Sequence, residues 1–286
     1  MIFLILSILF STGLFVIFKY FGIYKIDVLK AIFVNYIVAF SMGFFFAERQ
    51  IPISEIHVQP WFSGALFLGA LFVSIFFVMA MTAQKNGVSV TSIAGKMSVV
   101  VPVIFGIILY NESVTFLKIV GIIMALIAVY LSSVKEEKSE KKGTLLLPVL
   151  LFIGSGTIDT LLKYIQENYV ADEDVSIFSG SLFGIAGAFA FLILVIKTLK
   201  KRESFGYKNI IAGIILGVPN YYSIIFLIKA LQNNNFESST LFTINNVAIV
   251  VVSTLVGLFF FKEKFSVKNK IGVAMAVLAI VLVTIA

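Results

Sequence analysis

A chain of 286 residues that is 60% hydrophobic and only 13% charged has too few polar side chains to cover a water-soluble core, since soluble domains run at roughly 45–50% apolar and about 25% charged. With no cysteine and a single histidine, His57 in a polar loop, it excludes a disulfide framework, a thiolate metal site, a Cys nucleophile and a His-based relay, so neither metal nor cofactor is expected. The formal charge of +7 does not point to nucleic acid, because the basic residues stand between apolar runs, where membrane proteins collect them on one face.

A helix needs about 20 apolar residues to cross the hydrocarbon core. The first such run, 2–19, has neither a basic leader nor an Ala-x-Ala site and reads as a membrane span, not a removable signal. Further runs follow at 28–47, 61–83, 88–110 and 114–133. A charged stretch, 135–143, then marks the midpoint as a linker. Beyond it come runs at 145–165, 175–197, 208–230, 238–261 and 267–285. Continuous apolar runs argue against a membrane barrel, whose strands alternate. The expected fold is an all-α integral membrane protein with ten transmembrane helices. Lys and Arg concentrate in the loops of one face, among them Lys25, Lys138, Lys142, Lys201 and Arg202. That face is expected to be cytoplasmic, which places both termini outside.

The two halves resemble each other. Leu109-Tyr110-Asn111-Glu112 followed by Gly121 matches Phe260-Phe261-Lys262-Glu263 followed by Gly272. Glu-x8-Gly recurs at an offset of 151 residues (263 − 112 and 272 − 121), which Gly106 and Gly257 share. Lys19-Tyr20 and Lys163-Tyr164 close the first run of each half. Five spans per half is an odd number, so the second half inserts upside down. The expected organisation is two inverted five-helix repeats, 1–143 and 144–286, a plan typical of secondary transporters.

On these motifs the chain resembles the drug/metabolite transporter superfamily, EamA type, across its whole length. The family has two five-span repeats, each with a Lys ending its first helix, here Lys19 and Lys163. Each repeat also carries Glu-x8-Gly between its fourth and fifth helices, here Glu112/Gly121 and Glu263/Gly272. The chain departs from common family patterns at Ser11-Thr12-Gly13, where Trp-Gly is frequent, and at Asn35, where Arg is frequent. The resemblance implies export or exchange of amino acids, other small metabolites or drugs across an inner membrane.

Charges at membrane depth cost roughly 2.5–3.5 kcal/mol and so face a cavity or a partner. Lys96 lies about 12 Å from the cytoplasmic end of its run and Asp159 about 9 Å from the outer end. Helical rise groups Asn220, Tyr221, Tyr222, Asn245 and Asn246 near the level of Asp159, and Asn35 near that of Lys96. These eight residues are the candidate substrate contacts. Lys96 also reads as a fold-locking partner for Asp159, and Asn245 and Asn246 as interhelical hydrogen-bonding groups. Pro102 and Pro219 read as kinks or hinges. Glu112 and Glu263 read as caps of the next helix.

No Walker sequence, paired carboxylates or metal set is present, so the expectation is a non-enzymatic secondary transporter not driven directly by ATP. Its expected partners are a small-molecule substrate, the lipid bilayer and protons as coupling ion, with Asp159 a proton carrier if buried. A monomer suffices, and a homodimer is compatible. The same fold would also serve a lipid-carrier flippase or a gradient-independent facilitator.

Overall fold

A computed structural model of the chain describes residues 2–45, 52–110, 115–133, 145–171, 174–200, 204–232 and 238–285. Glu112 and the linker 135–143 lie outside these residues. The helices are α1 (Ile2–Ile23), α2 (Val28–Phe45), α3 (Phe62–Lys85), α4 (Val88–Met97), α5 (Val100–Tyr110), α6 (Phe116–Ser133), α7 (Leu146–Tyr169), α8 (Val175–Lys200), α9 (Tyr207–Gln232), α10 (Ser238–Phe259) and α11 (Val267–Ile285). A 3-10 turn, Ile53–Val58, precedes α3. Among the described residues there is no strand, as expected where hydrocarbon leaves the backbone to satisfy its own polar groups.

Seven helical stretches among the described residues are long and apolar enough to cross a bilayer: Ile2–Ile23, Val28–Phe45, Phe62–Lys85, Val88–Phe105, Leu146–Gln166, Ile177–Lys197 and Tyr207–Leu227. Phe116–Ser132 and Ile244–Phe259 are apolar but shorter. The chain is therefore a multi-pass membrane protein. The run 88–110 is two helices, α4 and α5, separated at Ser98-Val99.

The chain forms two compact units, one of residues 1–20, 78–157 and 222–286, the other of 21–77 and 158–221. In the first unit α6 packs most heavily on α11. A Cβ on Gly121 would stand 2.7 Å from Val283, and a Cβ on Gly272 would stand 2.7 Å from the backbone N of Ser132. The start of each helix thus meets the end of the other, so the pair is antiparallel. The two contacts are also the same contact: shifted by the offset of 151 residues, Gly121 becomes Gly272 and Ser132 becomes Val283. Between them Ala125 and Ala128 of α6 and Ala276 and Ala279 of α11 are buried in one core cluster. Small residues let the backbones approach closely, which is how helices bind in lipid, where hydrophobicity gives them no reason to associate.

In the second unit α2 packs most heavily on α8. Gly43 meets Gly180, where a Cβ on Gly43 would lie 2.9 Å from the facing Cα. Phe40 meets Gly184, Tyr36 meets Gly187, and the ring of Phe33 lies tilted against that of Phe191 at 5.6 Å. The numbering falls along α2 as it rises along α8, so this pair is antiparallel too. At its far end Asp27 caps α2 through the amides of Leu29 (3.1 Å) and Lys30 (3.3 Å) and accepts a 2.7 Å bond from Lys197 of α8. Burial works against ionisation of Asp27. The Lys197 hydrogen bond, the Lys30 amide and the charges of both lysines outweigh it, holding the carboxyl below its usual value of 3.8.

Two predictions follow from this packing. Gly272→Leu drives a side chain into the α6 backbone and costs about 1–3 kcal/mol or more. Gly13→Ala, with nothing within 4 Å of the new methyl, is neutral or stabilises by up to about 1 kcal/mol; thermal melts of the two variants in detergent check both. Because the folded Asp27 carboxyl titrates below its unfolded value, its contribution is full above the unfolded pKa and disappears as pH falls through the folded one. The melting temperature of Asp27→Asn therefore lies below wild type at neutral pH, and the gap closes in acid; a constant gap at every pH contradicts this.

Candidate functional site

In the first unit the two family motifs that sequence placed in opposite halves meet. α10 ends in backbone bonds from Phe261 N to Val256 O (3.3 Å) and from Glu263 N to Gly257 O (2.9 Å), with Lys262 in the left-handed region at φ 50°. This turn carries the Glu263 carboxylate to the N-terminus of α4. There Val88 N donates to Oε1 at 2.8 Å and Ser89 N to Oε2 at 3.5 Å. Lys19 Nζ of α1 lies 3.6 Å from Oε1, helped by the edge contact of Tyr20 with Phe261 at 5.3 Å. Gly87, at φ +109°, and Gly257 are glycines of necessity, because a Cβ on either would stand 2.5 Å from a carboxylate oxygen. Glu263 was expected to cap the next helix, α11. It caps α4 instead, because the tight turn folds the carboxylate back past Gly257, while Ser266 and Asn269 serve the start of α11 (Asn269 N to Ser266 Oγ, 3.2 Å). Glu112 lies outside the described residues, as does the side chain of Lys163.

α4 is joined to α10 by a buried hydroxyl seam: Ser89 with Thr254 at 2.9 Å, then Ser253 donating to Ser92. At its other end α4 stops after Met97. Pro102 brings no N–H for the Ser98 carbonyl, which accepts from Val101 N at 2.9 Å instead. Gly156 of α7 lies so close that a Cβ would stand 2.7 Å from that carbonyl oxygen. The half-buried Lys96 occupies the last turn of α4, where exposed carbonyls favour a cation. Asn245 is buried, and its Oδ1 has no partner among the described residues. Tyr222 stands in an aromatic ladder with Phe226 (5.3 Å) and Phe10 (5.9 Å).

In the second unit Asn220 Nδ2 donates to Asn35 Oδ1 at 3.2 Å, with both residues buried. The bond is short enough because α9 lies close on α2: a Cβ on Gly217 would stand 2.9 Å from Asn35 O. Pro219, inside α9, immediately precedes Asn220. Among the described residues Asn35 Nδ2 is left without a partner, as are the buried hydroxyls of Tyr36 and Ser181. Tyr221 is also buried.

Asp159 was read as a proton carrier if buried; it is exposed on α7. The preceding Ile158 takes the core position, and one residue further turns Asp159 roughly 100° away. The structure thus brings together Asn35 with Asn220, and Lys19 with Glu263. Sequence reasoning missed Tyr36, Ser181 and the Ser89/Ser92/Ser253/Thr254 seam. The i, i+3 spacing of Ser89 and Ser92 was the available signal. Among the described residues no group of three His, Cys, Asp or Glu is placed to hold a metal.

The EamA-like transporter family matches residues 1–134, and the family described as "Sugar transport protein" matches residues 115–286. An uncharacterized protein of Haemophilus influenzae is 28% identical over 288 residues, covering 97% of this chain and 95% of that one. A crystal structure of another protein superposes with a TM-score of 0.58 at 11% identity, over 98% of this chain and 97% of that one, a likeness of fold alone.

Glu263→Ala leaves the α4 amides and Lys19 without their acceptor and is expected to cost about 1–3 kcal/mol. Glu263→Gln, which keeps an acceptor but loses the charge, costs less. Melting temperatures of the two variants in the same detergent give the order, and equal losses in both contradict the cap.

Proposed function

Because the chain belongs to the drug/metabolite transporter superfamily, as an EamA-like transporter and not an enzyme, we propose that it moves a small metabolite across a bacterial cytoplasmic membrane by alternating access. The process is secondary active transport, by export or exchange. The solute is an amino acid, an organic anion or a drug-like compound; the family named for sugar transport adds sugars.

One observation carries this reading beyond family membership. α6 and α11 hold the same position in the two halves, pack antiparallel, and repeat one glycine contact at a single offset. An inverted pair of five-helix repeats, 1–143 and 144–286, would generate that reciprocity, and such repeats give a transporter two near-equivalent conformations facing opposite sides. The broken span supports it as well: α4 ends inside a membrane-crossing stretch, and irregular backbone at that depth is tolerated where protein buries it or a cavity meets it. Pro102 and Pro219 are the hinges in this reading.

Lys96, at the carbonyl end of α4, attracts the anionic group of the solute. Asn35, Asn220, Tyr221, Tyr222, Asn245 and Asn246 supply hydrogen bonds, and Asp159 supplies a second charge. Gly121 and Gly272 hold the scaffold, with Glu112, Glu263, Lys19 and Lys163 at the helix junctions.

The test is uptake of labelled amino acids, organic anions and sugars into liposomes holding the purified protein, with and without a pH gradient. Gradient-driven accumulation of one class is expected. Failure of every class in vesicles of verified fold overturns the reading, and uptake indifferent to the gradient makes the protein a facilitator. For an anionic solute, Lys96→Gln raises KM roughly tenfold to hundredfold, the worth of a charge-assisted hydrogen bond. An unchanged KM removes Lys96 from the site.

A further inference from the structure

Between α2 and α8 of the second unit lies a cavity of about 550 Å³, within the range of small-molecule sites. Its walls are Phe33, Ile37 and Phe40 of α2 and Ile185, Ala188 and Phe191 of α8. Ile37 and Phe191 are 45% and 51% exposed. Both helices carry membrane-crossing stretches, so a gap opening through these side chains opens into hydrocarbon and not into water. It continues the apolar face that Leu192, Ile193 and Ile196 of α8 already present to the bilayer, each at least 45% exposed.

The antiparallel register orders the groove from end to end. Phe33 and Phe191 stand at one end, and Phe40 and Gly184 stand at the other. Past Phe40 the turn Ile53–Val58 adds Ile56 and the exposed His57 to the lining. From Phe33 to Phe40 the helical rise is about 10 Å. An apolar slot that ends at an exposed imidazole has the profile of a chain followed by a head group.

Ser181 lines the groove one turn from Gly184, on the side of the turn. It is 3% exposed, and its hydroxyl has no partner among the described residues. The Tyr36 hydroxyl, on a fully buried lining residue, likewise has none. Such a group is destabilising if left unsatisfied. Plain hydrocarbon offers it nothing, whereas an ester oxygen is an acceptor, and in a glycerolipid the ester stands between chain and head group.

We propose that this groove is a lipid site. It takes one acyl chain of a bilayer phospholipid lengthwise along α2 and α8, with the ester oxygen accepting from Ser181 and the phosphate at His57. The site is separate from the polar clusters assigned to the solute, and its occupancy does not depend on the transport reading.

Native mass spectrometry of the full chain in detergent tests this, together with the melting-temperature shift on adding diester phosphatidylcholine or its ether-linked analogue, which lacks the ester carbonyl. One phospholipid retained per chain is expected, along with a stabilising shift by the diester lipid. Ala188→Phe fills the groove from an exposed position and abolishes both. Ile37→Trp does the same from α2, so misfolding of one variant leaves the other to decide. Ser181→Ala weakens the diester lipid several-fold and brings it level with the ether lipid. Retention by both filled variants at the wild-type level overturns the site. Equal binding of ester and ether lipids by the wild type overturns the role of Ser181. Capture of a transported solute in the groove, with no lipid retained, assigns it to transport and also overturns the proposal.

Discussion

In hydrocarbon no water is available for an unpaired N–H or C=O, and this constraint decides most of what the chain does. It forces helices, and it strips the hydrophobic effect of its power to bring those helices together. What remains is close approach. Hence the α6–α11 seam is built from Gly121, Ala125, Ala128 and their counterparts Gly272, Ala276 and Ala279, and α2 meets α8 glycine to glycine at Gly43 and Gly180. The large aromatic residues fill in around these contacts, as Tyr36 does between Phe76 and Phe183 at 5.7 and 6.3 Å.

The departure from regular helix between α4 and α5 is compensated. The break between α4 and α5 leaves the Ser98 carbonyl to a three-residue bond and brings the bare backbone of Gly156 beside it. The free amides of α4 receive the Glu263 carboxylate, and its last turn holds Lys96. This ten-residue segment is therefore matched electrostatically at both ends, with negative charge at its N-terminus and positive at its C-terminus. Its side is tied by hydroxyls to α10 rather than by packing alone. Such a segment can hold a charge at membrane depth because its own dipole shares the cost.

Helix positions were legible because an apolar run of about 20 residues has few readings. The runs beginning at 28, 175 and 267 start where α2, α8 and α11 start. The α4–α5 break was legible only as Pro102, since a proline says that a bond is missing but not where the helix yields. The Asn35–Asn220 bond was half legible: both amides stood out as polar groups in apolar runs, but their meeting depends on Gly213 and Gly217 bringing α9 onto α2. The exposure of Asp159 was not legible, because depth along a helix carries no information about azimuth, and Ile158 takes the core position. The partners of Glu263 were hidden for a different reason. A carboxylate after a helix looks like a local cap, and nothing local to residue 263 reports that the waiting amides belong to residues 88 and 89.

That long reach bears on how the protein is made. The amide of Val88 donates to a carboxylate that lies 175 positions later in the chain. At 5–20 residues per second the ribosome needs roughly 10–35 s to deliver it. Until then the N-terminus of α4 must borrow acceptors from water, from lipid head groups or from the insertion machinery, and Lys19 must wait without its carboxylate. The first half can enter the membrane early, but its fourth span is finished only when the last turn of the chain arrives. Glu263 is thus a late-arriving group on which a helix begun 175 residues earlier depends for its N-terminal acceptor.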